Sequence, residues 1–355
     1  MSMQLEVDKV SIRYDSDPVV KEVSFSLACG GIGCLLGPSG CGKTSLLRAI
    51  AGFEPVSGGE IRLHGRTVAA LGVQVPPEQR NIGMVFQDFA LFPHLTVAQN
   101  VAFGLQKWGS KEREARVAEL LGLVGLSALR DAYPHQISGG QQQRIALIRA
   151  MAPRPEILLL DEPFSSLDSD LREQLAREVR AILKRDGVTA ILVTHDHLEA
   201  FAMADRIGVV GEQRLRQWDI PYNIYHEPAD RFVADFVGQG AMLPGTVVDD
   251  GHIETELGIV PGKLPPECKP GCEVEVLLRP DDVVHDDESE LKLVVAERAF
   301  RGAEYLYTLR LPGGGEILCL VQSHHNHALG ERIGIRLDLE HLAVFPRREN
   351  AAVAG

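Results

Sequence analysis

The sequence predicts an α/β fold on a parallel sheet, followed by a separate all-β domain. Two apolar runs, EILLLDEP (156–163) and VTAILVTHD (188–196), have strand length and lack polar alternation, the pattern of parallel strands covered on both faces. Helical runs alternate with them. KEREARVAELLGLVGL (111–126) repeats apolar residues at three- and four-residue steps, and LREQLAREVRAILKRDG (171–187) ends on a basic turn and Gly187. Past Gly240 only short strand patterns remain, GCEVEVLLRP, ELKLVVAERAF, EYLYTLRLPGGGEILCLV and ERIGIRLDL, with Gly313, Gly314 and Gly315 placed as a hairpin loop.

From the start to about Gln87 the chain reads as short strands, such as LEVDKVSIRY and VSFSL, interrupted by GPSGCGKTS. That stretch fits the spacing of a P-loop: Gly37, Pro38, Ser39, Gly40, Cys41 and Gly42, then Lys43, Thr44 and Ser45, with the helix-forming SLLRAIAGF behind it. Small residues let successive backbone N–H groups converge on phosphate, and the helix start adds its positive dipole end. Lys43 is placed to reach the β- and γ-phosphates, and the Thr44 hydroxyl to ligate Mg²⁺. A glycine-rich turn between a strand and a helix shares this spacing, so the rest of the chain has to decide.

From about Asp88 to Ala150 the texture is helical, an insertion into the α/β unit. The strand after it ends in two carboxylates. Asp161 is placed to hold the Mg²⁺ of a nucleotide through water, and Glu162 to accept the proton of an attacking water. Within the insertion, Ser138, Gly139, Gly140 and Gln141 of ISGGQQQR offer a hydroxyl and bare N–H groups at a helix start, a second anion site. Two such sites are redundant for one nucleotide in one chain and make sense if the second grips a nucleotide held by another copy.

These features together resemble the nucleotide-binding subunit of an ABC transporter. Tyr14 matches the aromatic that stacks on adenine, GPSGCGKT the Walker A loop, and Gln87 in MVFQDFALFPHLT the Q-loop glutamine. ISGGQ matches the signature, with Ile137 where leucine is usual; ILLLDE matches Walker B, Ser165, Ser166, Leu167 and Asp168 the D-loop, and His195 the switch histidine. The resemblance implies a P-loop NTPase with a RecA-like core and antiparallel β and helical subdomains over residues 1–238, the helical part at about 88–150. It also implies ATP and Mg²⁺ as cofactors, with Thr44, Gln87 and Asp161 around the metal. Lys43, Gln87, Glu162 and His195 would be catalytic, and two cassettes would close head to tail on two ATP molecules, Asp168 adjoining the shared nucleotide. The insertion would receive a coupling helix of an integral-membrane permease, on the cytoplasmic face of the inner membrane.

Residues 239–355 resemble an OB-like TOBE regulatory domain, LLRPDDV matching its arginine-proline-acidic turn. That tail implies a bacterial importer served by a periplasmic binding protein. YPHQISGGQQQR, EPADRFVADFVGQG and FRGAEYLYTLRL resemble the ferric-iron transport ATPases, with sugar, polyamine, sulfate and molybdate importers as alternatives. His324, His325 and His327 of HHNH invite a metal-sensing reading that would suit iron, but in a polar, turn-like stretch with no carboxylate or cysteine cluster nearby they read as a solvated loop, and HDDESE as another.

Composition bears on the function classes. A chain of 355 residues is long for one domain, and its net charge of −13 argues against a phosphate-tracking nucleic-acid surface. This disfavours the runner-up, a cytosolic ABC protein acting on nucleic acid. No signal-peptide pattern and no apolar run of membrane-spanning length is seen, so a soluble, cytoplasmic chain is expected. The six cysteines form no CxxC pair, so neither a disulfide framework nor a zinc ribbon is expected.

Overall fold

The computed structural model describes residues 2–86, 88–165, 169–339 and 342–347. The chain divides into two compact units, Met1–Pro221 and Tyr222–Gly355.

The first unit holds a six-stranded sheet in the order Arg214–Asp219, Arg206–Gly211, Ile32–Leu36, Thr189–Thr194, Ile157–Asp161, Ile82–Val85. All neighbours are parallel except the edge strand Arg214–Asp219. Every residue of Ile32–Leu36, Ile157–Asp161 and Thr189–Thr194 is buried, which is why their sequences lack alternation. A second, antiparallel sheet runs Asp17–Ala28, Met3–Tyr14, Gly58–Leu63, Arg66–Ala70, Val73–Gln74. Both sheets share one core with the helix Lys43–Ala51, through Leu46, Leu47 and Ile50 against Val7, Phe25, Leu159 and Ile191.

The helices Val97–Ala102, Ser110–Leu123 and Gly139–Met151 form a core of their own around Val101, Leu120, Ile145 and Ile148. Ile137 is buried in this cluster, so its branched side chain fills an apolar site just ahead of Ser138. Asn100, fully buried, donates to the carbonyls of Phe92, Leu95 and Thr96 and accepts from the Phe92 N–H, fixing the FALFPHLT stretch.

The second unit has two five-stranded antiparallel sheets that close on one core, an OB-like arrangement. Glu304–Arg310 and Glu316–Gln322 pair as a hairpin around Gly313, Gly314 and Gly315. The unit begins at Tyr222, whereas the sequence suggested a boundary at 238/239, because Arg279 draws the preceding helices into it. Arg279 is buried and donates to the carbonyls of Tyr225, Ala234, Gly238 and Gln239 while lying 4.5 Å from the Tyr225 ring centroid. Its own N–H donates to Asp282 Oδ2 at 2.6 Å, closing the Arg-Pro-Asp-Asp turn. Among the described residues, no helix is long and apolar enough to cross a membrane.

Candidate nucleotide site

The loop 37–42 leaves the strand Ile32–Leu36 and opens the helix Lys43–Ala51. Its glycines are demanded by geometry. A Cβ on Gly37 would stand 2.3 Å from the Val210 carbonyl oxygen, and one on Gly42 2.4 Å from that of Val19. Gly42 is also the helix N-cap in the left-handed region, φ +98°. Lys43 is buried, its Nζ donating to the carbonyls of Gly37 and Pro38 at 2.8 Å each. The ammonium therefore rests inside the loop, held by backbone carbonyls at its mouth.

Thr44 Oγ1 donates to Asp161 Oδ1 at 3.0 Å, joining the first turn of that helix to the end of the strand Ile157–Asp161. Burial pushes the Asp161 carboxyl above the ordinary range, against the hydrogen bond from Thr44 and the nearby Arg48. A hydroxyl and a partly desolvated carboxylate side by side are hard oxygen donors of the kind Mg²⁺ takes, so these residues fit the ion. Tyr14 is exposed at the end of its strand, its hydroxyl donating to Ser45 Oγ at 3.1 Å, so the ring stands beside the loop.

Glu162 follows with φ +44°, a left-handed conformation that side chains rarely hold, and its N–H donates to the Val193 carbonyl at 2.9 Å. This turn sets its carboxylate 3.4 Å from His195 Nδ1. The structure thus brings together Tyr14, residues 37–45, Asp161, Glu162 and His195. Gln87 and Asp168 lie outside the described residues, as do Ser166 and Leu167.

Ser138 caps the helix Gly139–Met151 in a reciprocal box: the Gln141 N–H donates to its Oγ, and its own N–H donates to Gln141 Oε1 at 2.9 Å. Ser138 and Gly139 are exposed, and a Cβ on Gly139 would meet nothing within 4 Å. Among the described residues, no hydrogen bond or ion pair joins residues 138–141 to the P-loop group.

The ABC transporter domain matches residues 20–165 and the TOBE domain residues 276–345. The spermidine/putrescine import ATP-binding protein PotA of Pseudomonas fluorescens (strain Pf0-1) is 42% identical over 351 residues, 94% of this chain and 96% of that protein. The chain belongs to the ABC transporter family. It is an ATP-binding subunit of the importer type, with a TOBE domain. PotA of Rubrobacter xylanophilus is 40% identical over 355 residues, 96% of this chain and 93% of the relative. The Fe(3+) ions import ATP-binding protein FbpC 2 of Haemophilus influenzae is 44% identical over 261 residues, 73% of each chain.

In this ABC subunit the supports of two motif residues escaped the sequence reading. Thr194 Oγ1 donates to the buried Glu199 at 2.6 Å and accepts the Asp196 N–H, while Asp196 caps the next helix through the N–H groups of Leu198 and Glu199. Arg172 pairs with both Asp196 and Glu199. The backbone on each side of His195 is therefore braced, and burial pushes the Glu199 carboxyl up against the hydrogen bond from Thr194. The signal was available: Asp196 and Glu199 stand three apart at a helix start. Arg149, on the helix that Ser138 caps, donates to the carbonyls of Phe89 and Ala90, tying the stretch after Gln87 to the signature helix. Nothing in the sequence pairs those positions.

Proposed function

We propose that this chain hydrolyses ATP to drive uptake of a small cationic cargo through a separate membrane permease, working as a head-to-tail pair of copies. The observation that carries the reading is the Thr44–Asp161 hydrogen bond, with Glu162 and His195 in the same corner. The loop amides and Lys43 hold the phosphates. Thr44, Gln87 and Asp161 hold Mg²⁺, which when bound neutralises charge on the β- and γ-phosphates. Glu162 accepts the proton of the attacking water, and His195 orients toward the γ-phosphate. Ser138 and Gly140 close on the nucleotide of the other copy; the exposed Ser138 and Gly139, which among the described residues have no bond to the P-loop group of their own chain, support this. Closure on ATP and release after hydrolysis transmit motion to a permease at the cytoplasmic face of the inner membrane, served by a periplasmic binding protein.

For the cargo, a polyamine is the first reading. The polyamine-named relatives match across nearly the whole chain, whereas the FbpC relative matches over 73% of it. Ferric iron, expected from the sequence, is the second, supported by the FbpC relative at 44% identity over its shorter match. Uptake of labelled putrescine, spermidine and ⁵⁵Fe(III) is measured in cells lacking the gene and complemented with wild type or Glu162→Gln. Polyamine uptake restored only by wild type supports the first reading. Restored iron uptake transfers the assignment to ferric iron, and uptake restored by Glu162→Gln overturns the ATPase role.

A further inference from the structure

The sequence left HHNH as a solvated loop without partners, yet the fold brings a third histidine to it. His285 ends the short strand Val283–His285, which pairs with Arg332–Leu337, and the loop carrying His325 and His327 leads into that same strand. The ring nitrogens of His285, His325 and His327 converge within 4.8 Å of one another, and all three residues are partly buried. His327 Nε2 lies 3.2 Å from His285 Nε2, and Asp287 Oδ1 also lies 3.2 Å from His285 Nε2. His324, exposed, lies against His325 with the rings tilted at 42° and is not in this group.

We propose that His285, His325 and His327, with Asp287 as the fourth ligand, bind a divalent transition-metal ion of the zinc class in the C-terminal unit. Ligand nitrogens about 2.0–2.1 Å from a tetrahedral zinc ion stand roughly 3.3–3.4 Å apart, so both 3.2 Å separations already match edges of that tetrahedron. The tautomer is set as well. Glu331 Oε1 lies 2.9 Å from His327 Nδ1, and a carboxylate there fixes the proton on Nδ1 and leaves the Nε2 lone pair facing His285. The same carboxylate group accepts the Ala328 N–H, so Glu331 is itself held. Tyr307 steadies the loop from below: its buried hydroxyl donates to the His325 carbonyl at 3.0 Å and accepts the His327 N–H at 2.9 Å. Three imidazoles and one carboxylate select zinc, cobalt, nickel or copper over Mg²⁺, which takes oxygen ligands. Closing the site brings the His325 ring and the Asp287 carboxylate in toward the His285 and His327 Nε2 atoms, which already stand 3.2 Å apart.

The test uses tag-free, metal-stripped full-length protein without nucleotide, titrated with Co(II) and followed by visible absorption. The expected result is one saturable site per chain with the intense bands of a tetrahedral nitrogen-rich centre, bleached by Zn(II). His285→Gln and His327→Gln abolish the bands, Glu331→Gln weakens affinity about 10–100-fold, and His324→Ala leaves it unchanged. Circular dichroism of the metal-free variants checks folding, and the Glu331→Gln and His324→Ala pair decides the matter if a ligand variant misfolds. Absence of saturable binding, weak octahedral bands only, or bands that survive both His285→Gln and His327→Gln overturns the proposal.

Discussion

His195 Nδ1 stands 3.4 Å from Glu162 Oε2, and each residue is held by backbone rather than by the other: Glu162 by its left-handed turn onto Val193, His195 by the Thr194, Asp196 and Glu199 bonds beside it. Two roles can then be separated by substitution. Glu162→Gln keeps the size of the side chain and its place beside His195 and removes the base. Turnover is expected to fall at least about 100-fold with ATP affinity retained and a closed pair of copies accumulating, measured by phosphate release and by gel filtration with ATP. His195→Ala is expected to slow turnover while leaving nucleotide affinity within a few-fold.

Removing the Thr44 hydroxyl tests the metal arrangement. Thr44→Val keeps the volume but leaves Asp161, already pushed up by burial, without its donor. ATP affinity measured calorimetrically is expected to drop roughly tenfold, about 1.4 kcal/mol, in the presence of Mg²⁺ and to change little in chelator.

Gly42 admits no side chain. Gly42→Ala would place Cβ 2.4 Å from the Val19 carbonyl at φ +98°. Left-handed strain of about 1–3 kcal/mol, added to that clash, is expected to lower the melting temperature of the first unit and abolish nucleotide binding together. Gly40→Ala is the comparison: it has a positive φ but meets nothing within 4 Å, so it carries strain without the clash.

Arg279→Ala strips the donor shared by four backbone carbonyls in the C-terminal unit. Leaving such buried acceptors unpaired is expected to destabilise that unit by about 3 kcal/mol or more, read by scanning calorimetry.

Asp282 gives the C-terminal unit a pH signature. Burial, with Asp281 adding to it and the Arg279 N–H opposing it, lifts its carboxyl from 3.8 to about 6. Between those values the folded chain keeps a proton that the unfolded chain has released. Stability therefore falls as pH rises from about 4 to about 6, by at most about 3 kcal/mol, and is flat in this respect above and below. In Asp282→Asn this slope is expected to disappear from denaturant titrations across that range.

What the sequence disclosed depends on how local the information is. The P-loop, the Walker B carboxylates and the capped signature helix are each set by fewer than ten consecutive residues, and the fully buried strands announce themselves by unbroken apolar runs. Contacts between distant segments left no such trace. Arg149 reaches Phe89 and Ala90 through ordinary residue types, and His285 sits in an acidic stretch that reads as solvent-facing although its side chain turns in toward His327. The domain boundary was displaced for the same reason: ADRFVADFVG looks like the end of one unit until Arg279, some forty positions later, claims its carbonyls.

That claim has an evolutionary corollary. A tail exchanged between relatives by recombination has to bring Tyr225 to Gln239 with it, because a junction at 238 would separate the arginine from most of its acceptors. A graft of this tail that keeps its core intact therefore starts near 221, two helices earlier than the β-strands alone would suggest.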